Sequence, residues 1–330
     1  MCFSRRIGLV IFGLLFAGCS GNAPSAFSAM PFAPGNTGAL TPQTRDQLLV
    51  TPPAAGTDDL YVSAFYLTDI ADYHMPNKKG RFPYCTITGP KSINGIGVDR
   101  NGVLWVPQEQ DQGPGIVTSY APGCGAPGIT LTGNSQPLAI AFGPKGENYV
   151  VEWAYGDGSY VAVFPKGATT PSKELQSSAV GSGASGNGIG VDRQGDVFFG
   201  FAKPYGAGGG IVEFAHGRGQ GQLLSVGTTG NPGASITFDG KGNMLVPDVI
   251  NTVIDIFAPP YSALTSTIPL KGSSYQCALN ESENSLACAD AEYETADLYS
   301  YPAGKYEYSF SKGLWGDDYV EGIAFEPSAR

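Results

Sequence analysis

The stretch "NGIGVDRNGVLWVP" at Asn94–Pro107 decides the fold, because it recurs along the chain at a regular interval. It consists of an alternating apolar strand, a turn of the form D-x-x-G and a second apolar strand. Further copies begin at Leu138, Asn187 and Ala234, and a degraded copy, "CALNESENSLAC", begins at Cys277. Units of short strands that repeat about every 45 residues are typical of propeller blades, each of which is a four-stranded antiparallel sheet.

The repeat period can be measured independently from an aromatic residue that lies near the end of the third strand of each unit. These residues follow one another at intervals of 43 to 50 positions and are Tyr73, Tyr120, Phe164, Phe214, Phe257 and Tyr301. Apolar runs alternate with period 2, and 47 Gly and 25 Pro residues supply the turns that an all-β chain needs. We therefore predict an all-β fold with no helix of useful length.

The sixth unit is split between the two ends of the chain. "EGIAFEP" at Glu321–Pro327 has the first strand without its partner, and "DDLYVSAF" at Asp58–Phe65 has the second strand without a predecessor. Pairing a C-terminal strand at about 320–327 with an N-terminal strand at about 59–65 would close the ring and remove two exposed strand edges. The prediction is a closed six-bladed β-propeller over residues 58–330.

The N-terminus resembles a bacterial lipoprotein signal peptide. Arg5 and Arg6 precede a short apolar run, and "LFAGC" ends at Cys19. The resemblance implies that residues 1–18 are removed and that the Cys19 thiol carries a lipid, which makes the membrane a partner of the mature protein. An uncleaved anchor is the alternative, but the apolar run is too short to span a bilayer as a mature helix.

The resemblance also predicts a location in the bacterial cell envelope. The residue after Cys19 is Ser20 and not Asp, which favours the outer membrane if the organism is Gram-negative. Residues 19–57 form, by prediction, the lipidated Cys and a disordered tether, because this segment is rich in Pro, Ala, Ser, Gly and Thr and shows no sustained alternation.

Four cysteines remain after Cys2 and Cys19 are assigned to the leader and the lipid, and four cysteines permit three pairings. Cys277 and Cys288 flank a hairpin turn symmetrically, so we expect them to face each other across two antiparallel strands. Cys85 and Cys124 then pair by elimination. Disulfides fit an exported protein, and no cysteine spacing is typical of a zinc site.

Charge excludes nucleic acid as a partner. Without Arg5 and Arg6 the chain has 17 basic and 29 acidic residues, a net charge of −12, and it contains no basic run. Proteins that bind phosphate backbones concentrate Lys and Arg. An acidic protein of this kind attracts divalent cations diffusely, which is not a site.

Motifs of several enzyme classes are missing from the sequence. It contains no G-x-S-x-G elbow, P-loop, H-E-x-x-H or dinucleotide fingerprint. His74 and His216, its two histidines, have no neighbouring carboxylate in sequence to orient them as bases. Acidic residues head the D-x-x-G turns, where an Asp usually bonds its own backbone two residues on; they are Asp99, Asp192 and Asp239.

The repeat units resemble two propeller families. "GNMLVPDVINTVIDIFAPP" at Gly242–Pro260 resembles the NHL repeat, and the strand starts "EGIAF" and "NGIGVD" resemble the gluconolactonase and senescence-marker-protein group. The second resemblance implies a calcium ion in the channel. According to this resemblance, Glu321 and Asn187 correspond to metal ligands, and Asn94 lies one blade away from the Asn that faces the substrate in that family. Blade five departs from the family pattern, because Ala234 and Ser235 occupy the position where the family has an Asp that acts as acid and base.

An alternative explanation of Asn94 and Asn187 is structural, since both precede Gly and a turn entering a strand favours Asn-Gly. Three functional hypotheses follow. The first, favoured by the missing catalytic set, is a non-enzymatic lipid-anchored scaffold that binds an envelope protein, peptide or glycan and needs no cofactor. The second is a calcium-dependent hydrolase, lactonase-like or esterase-like, with its site in the channel. The third is a purely structural envelope component without a saturable ligand.

Overall fold

The computed structural model describes residues 58–327, apart from 66–67, 92, 111–112, 155–157, 205–207, 227–229 and 315–318. Within these residues the chain forms 24 β-strands in six four-stranded antiparallel sheets, and a short 3-10 helix lies at Ala215–Gly217. No helix in the described ranges is long and apolar enough to cross a membrane. The predicted signal peptide (1–18), the lipidated Cys19 and the tether (19–57) lie outside the described residues.

The first three blades are built in chain order. Blade one holds β1 (Asp59–Ala64), β2 (Asp69–His74) and β3 (Cys85–Thr88); blade two holds β4 (Gly97–Val98), β5 (Leu104–Gln108), β6 (Ile116–Tyr120) and β7 (Pro127–Leu131); blade three holds β8 (Pro137–Phe142), β9 (Asn148–Ala154), β10 (Gly158–Phe164) and β11 (Lys173–Leu175).

The remaining blades follow the same order, and the last strand returns to blade one. Blade four holds β12 (Ser185–Val191), β13 (Val197–Ala202), β14 (Gly209–Phe214) and β15 (Gln222–Leu223); blade five holds β16 (Thr237–Phe238), β17 (Met244–Asp248), β18 (Val253–Phe257) and β19 (Ser266–Pro269); blade six holds β20 (Ser274–Leu279), β21 (Ser285–Asp290), β22 (Thr295–Ser300) and β23 (Lys305–Phe310); β24 (Val320–Glu326) completes blade one.

Pairing of β24 with β1 closes the ring and confirms the prediction made from the split sixth unit. The two strands are antiparallel, and the register places Asp59 opposite Glu326 and Ser63 opposite Gly322. The first strand therefore has neighbours on both sides, β24 and β2. The edge of β1 that would be unpaired without β24 is therefore covered by the C-terminal strand, and β24 is the edge strand of blade one.

Six clusters of buried apolar side chains form the core, and each cluster joins two adjacent blades. For example, Tyr61 and Ile70 of blade one pack with Leu104 and Val106 of blade two, and Leu60 of blade one packs in the cluster shared with blade six. The other four clusters join blades two and three, three and four, four and five, and five and six. One blade cannot bury both of its faces alone, so the ring is the unit of stability.

The six third-strand aromatics used to measure the period are all buried, with exposed fractions between 0% and 9%. Five lie in their strands, and Tyr301 follows the end of β22. Both predicted disulfides are present. Cys277 and Cys288 are direct partners in the β20–β21 ladder, and Cys85 at the start of β3 is bonded to Cys124 between β6 and β7.

The antiparallel order gives the ring two different faces. On the upper face each inner strand begins; Glu321, Asn94 and Asn187 lie there. On the lower face each inner strand turns into the second strand; the turns headed by Asp99 and Asp192 lie there. Loops that connect one blade to the next also cross the upper face, so polar groups from different blades meet around the channel at that face.

Candidate functional site

Blades one, two and six bring four polar residues together at the upper face; we call Glu321, Glu109, Asn94 and Tyr275 the mouth group. Glu321 is the second residue of β24, Tyr275 the second residue of β20, and Asn94 precedes β4. Glu109 directly follows β5, whose end returns to the upper face beside the start of the inner strand. The Asn94 side-chain nitrogen Nδ2 donates to Glu109 Oε1 at 2.5 Å.

The carboxyl group of Glu321 is the unusual member of the mouth group. Its Oε2 atom is buried and has no hydrogen-bond partner among the described residues. Burial, reinforced by the charge of Glu109, raises the pKa of Glu321 to about 8. A carboxyl in this setting keeps its proton near neutral pH, or it keeps its charge when a ligand supplies a donor or a cation.

The charges of the two glutamates also act on their neighbour. Burial first, and then the charges of Glu321 and Glu109, raises the pKa of the Tyr275 phenol, which therefore stays protonated. Burial raises the pKa of Glu109 as well, and the hydrogen bond from Asn94 partly offsets this effect. The mouth group thus combines two carboxyl groups of raised pKa with a phenol and an amide.

Asn187, the third residue predicted at this position, is not part of the mouth group. Its Nδ2 donates to Asn231 Oδ1 at 2.8 Å and to the Pro232 carbonyl at 3.2 Å, and its Oδ1 accepts from Ser185 Oγ at 3.0 Å. These bonds hold the start of β12 against the loop that leads into blade five. The structure therefore bonds Asn94 to Glu109, whose charge acts on Glu321, and it gives Asn187 a role between blades four and five.

A preference for turns, the alternative explanation given above, does not account for the Gly that follows Asn94 and Asn187. Asn187 and Gly188 lie inside β12, and a Cβ atom on Gly188 would collide with the Gly233 carbonyl oxygen. Beside Asn94, Gly95 donates its amide to the Leu138 carbonyl of the next blade at 2.9 Å. Glycine is needed because neighbouring inner strands approach each other closely around the channel.

Blade five lacks the carboxylate that the lactonase-like resemblance requires. Ala234 is buried, and its amide donates to the Tyr275 carbonyl at 2.6 Å. Ser235 Oγ donates to the Cys277 carbonyl at 2.9 Å and accepts from the Cys277 amide at 3.0 Å, so this hydroxyl links blades five and six. Because the Asn187 side chain is also occupied by hydrogen bonds within the protein, the residues present do not fit the calcium site of that family.

Other carboxylates of the upper face hold loops at the ends of second strands. Asp248 accepts hydrogen bonds from the amides of Gly230, Ile250 and Asn251. Glu152 accepts from the Ser135 amide through Oε2, whereas its buried Oε1 has no partner among the described residues. Burial raises the pKa of Glu152 to about 8. Acidic groups of several blades are consequently buried beneath the loops of the upper face.

The two histidines lie at the lower face, and each lies beside a carboxylate that the sequence separates from it. His74 Nδ1 is 2.7 Å from Asp59 Oδ1, and His216 Nδ1 is 3.2 Å from Asp196 Oδ1. Antiparallel pairing of β1 and β2 places Asp59 opposite His74. The pairing register is the signal that could have found this contact, since the two residues are 15 positions apart.

Comparisons with known proteins support the fold. No protein-family model matches this sequence, and no curated protein matches it. Among solved structures, a chain of a nidogen–laminin complex is similar with a TM-score of 0.63 and 14% identity, over 83% of this chain and 100% of that one. A protein of unknown function from Bacteroides caccae has a TM-score of 0.61 and 14% identity, over 82% and 99%. The chain therefore shares with these structures the fold of a six-bladed β-propeller.

Proposed function

We propose that this propeller is a binding module whose upper face receives a protein, peptide or glycan ligand at the mouth group. The observation that carries the proposal is the buried Oε2 atom of Glu321, which has no hydrogen-bond partner among the described residues. A buried acceptor without a donor is costly, by about 1–3 kcal/mol for a neutral group and more for a charged one. A ligand that supplies the donor recovers this free energy, which makes the mouth group a favourable place to bind.

The acidic character of the mouth group indicates which ligand groups would fit. Glu321 and Glu109 offer acceptor oxygens, and the chain as a whole has a net charge of −10. A lysine or arginine side chain, an N-terminal amine or the hydroxyl groups of a glycan would complement these oxygens. A phosphate backbone would be repelled, in agreement with the exclusion of nucleic acid.

We place this module in the bacterial envelope, attached to the membrane through a lipid on Cys19, with the outer membrane favoured if the organism is Gram-negative. The two disulfides support an oxidising compartment. A similar ring occurs in a solved nidogen–laminin complex, so the fold is compatible with service as an interaction domain.

Binding to peptide and glycan arrays by the mature lipid-free protein tests the proposal, with hits measured by calorimetry. We expect saturable binding to a ligand that carries cationic or hydroxyl groups, and a loss of at least tenfold in affinity for Glu321→Gln. Glu283→Gln at the lower face is the matched control and should bind like the natural protein. Saturable ligands that bind both variants equally would place the site elsewhere, and the absence of any ligand would leave the purely structural envelope component.

A hydrolase with its site in the channel is the second candidate, and the effect of the Glu109 charge on Glu321 favours it. Two carboxyl groups in one site, one of them with a pKa of about 8, can divide the roles of general acid and general base. In that case a panel of lactones and esters would reveal turnover that Glu321→Gln and Glu109→Gln each abolish. Turnover that survives both substitutions would remove the hydrolase hypothesis.

A further inference from the structure

Three carboxyl groups meet at the lower face where the ring closes; we call Asp59, Asp72 and Glu326 the closure cluster. They come from the three adjacent strands β1, β2 and β24 of blade one. Asp59 lies opposite Glu326 in one ladder, and Asp72 lies opposite Tyr61 in the other. One oxygen of each carboxyl group lies within 4.8 Å of the other two. The cluster thus spans the first and last strands of the propeller.

Asp72 is the least satisfied member of the closure cluster. It is fully buried, with an exposed fraction of 0%, and its Oδ1 atom has no hydrogen-bond partner among the described residues. Its Oδ2 atom lies 3.7 Å from Cys85 Sγ, but that sulfur is bonded to Cys124 and has no proton to donate. A fully buried carboxyl group with an unpartnered oxygen requires either a proton or a cation.

The surroundings supply little positive charge to the closure cluster. His74 Nδ1 contacts Asp59 Oδ1 at 2.7 Å, and the Tyr61 hydroxyl donates to Glu326 Oε2 at 2.6 Å. Tyr61 in turn accepts the Gly123 amide at 3.0 Å, so its hydroxyl orients Glu326. Within the described ranges, no lysine or arginine nitrogen lies within 4.0 Å of the three carboxyl groups.

We propose that the closure cluster binds one divalent cation, Ca²⁺ by its chemistry, which joins the first and last strands of the ring. Two oxygens that both ligate Ca²⁺ at about 2.4 Å are at most about 4.8 Å apart, and one oxygen of each carboxyl group lies within this limit of the other two, so all three can reach one ion. Carboxylate oxygens are ligands that Ca²⁺ prefers, and water can complete its shell beside the half-buried Glu326. This site lies at the face opposite the mouth group and is independent of the proposed ligand.

Calorimetric titration of chelator-treated full-length mature protein with CaCl₂ at pH 7.5 tests the proposal. We expect one saturable site, a loss of at least tenfold in affinity for Asp72→Asn and for Glu326→Gln, and a rise of several degrees in the unfolding midpoint with Ca²⁺ that both variants lose. The amide oxygen introduced by Glu326→Gln would still accept the Tyr61 hydrogen bond, so this second variant keeps the test valid if Asp72→Asn fails to fold. Asp255→Asn, which changes a buried carboxyl group of blade five, is the matched control.

Tb³⁺ provides a readout of position, because a tyrosine close to the ion sensitises its luminescence. The sensitised emission should fall several-fold in Tyr61→Phe and should be displaced by Ca²⁺. Two results would overturn the proposal. The first is the absence of saturable binding, which would mean that the cluster holds a proton. The second is binding that Glu321→Gln abolishes while Asp72→Asn and Glu326→Gln leave it unchanged, which would place the ion at the mouth group.

Discussion

Single carboxylate oxygens organise the turns of the lower face. Asp192 Oδ1 accepts the amides of Gln194 at 2.9 Å and Asp196 at 2.8 Å. Asp99 and Asp239 make the same pair of contacts in their own turns. These bonds confirm the prediction that the Asp residues of the D-x-x-G turns bind their own backbone, and they explain why a short polar side chain recurs at the head of the turn.

Asp192→Ala should therefore destabilise the protein by about 1–2 kcal/mol, because two turn amides lose their acceptor. The free energy of unfolding in urea measures the effect. Gln194→Ala is the control, since this side chain is exposed in the same turn, and it should change stability by less than about 0.5 kcal/mol. Equal effects of the two substitutions would contradict the role assigned to the carboxylate.

A pH dependence follows from Glu152, whose side chain is fully buried. Because its pKa is about 8 in the folded protein and near 4.5 in the unfolded chain, the folded state retains a proton that the unfolded state releases between these values. The contribution of Glu152 to the free energy of unfolding consequently falls as the pH rises from about 4.5 to about 8, and it is constant above pH 8.

Glu152→Gln mimics the protonated acid, so it should raise the unfolding midpoint strongly at pH 8 and only slightly at pH 5. The gain is on the order of 4 kcal/mol at pH 8 and less than about 1 kcal/mol at pH 5. Thermal unfolding followed by circular dichroism at both pH values measures it, with Glu307→Gln at an exposed position as the control. A parallel shift at both pH values would show that titration of Glu152 is not the cause.

At the scale of elements, the inner strands pack so closely that glycine becomes a requirement of the fold. A Cβ atom on Gly190 would collide with the Ile236 carbonyl oxygen, and the Ile236 amide donates to the Ile189 carbonyl at 3.0 Å. The strand β12 of blade four thus touches the backbone of blade five directly. Gly188 of the same "NGIG" copy is crowded in this way by the Gly233 carbonyl oxygen, whereas in the copy at Asn94 a Cβ atom on Gly95 or Gly97 would approach its neighbours only to 3.0–3.3 Å.

Gly190→Ala should cost at least about 2 kcal/mol, because the methyl group meets backbone that cannot move without shifting the next blade. Gly181→Ala is the matched control. Its added Cβ would meet nothing within 4 Å, and it should be neutral or slightly stabilising. The midpoints of urea unfolding distinguish the two variants, and similar midpoints would show that the inner strands adapt to the extra methyl group.

The strand pattern could be predicted from sequence because each hairpin is local and carries its own turn residue. The mouth group could be predicted only in part. Glu321 and Asn94 can be predicted because both lie where the first strand of a repeat unit starts, whereas Glu109 follows the second strand and no repeated motif marks its position. The closed ring makes blades six, one and two neighbours, and this arrangement brings the charge of Glu109 close enough to act on Glu321.

The position of Asn187 shows the opposite limit of the repeat pattern. Its local sequence is identical to that around Asn94 over "NGIGVDR", yet its side chain binds Asn231 and Pro232 of blade five. Contacts between blades depend on the loop that the next blade presents, and the repeat does not encode that loop. Equivalent positions therefore have equivalent backbones but different chemistry.

For the whole molecule, the Cys85–Cys124 disulfide stabilises the contact between blades one and two. It closes a loop of 39 residues, which corresponds to about 4 kcal/mol in the chain-entropy description. The double substitution Cys85→Ser and Cys124→Ser should lower the unfolding midpoint by several degrees. The control is the double substitution Cys277→Ser and Cys288→Ser, which removes a disulfide between residues only 11 positions apart in one hairpin. It should lower the free energy of unfolding by about 1 kcal/mol less than the loss of the Cys85–Cys124 bond does. The reverse ranking would argue against a loop-length origin.

The β24–β1 pairing has a consequence for biogenesis. The ribosome makes β1 first and β24 last among the strands of the ring. Blade one therefore lacks its inner strand until almost the entire chain has been synthesised. During that interval the nascent protein displays the open edge of β1 to any other extended chain. Premature termination anywhere before Val320 leaves that edge permanently exposed, so such fragments should be substrates for chaperones and proteases. Closure of the ring therefore distinguishes the complete chain from its truncated fragments.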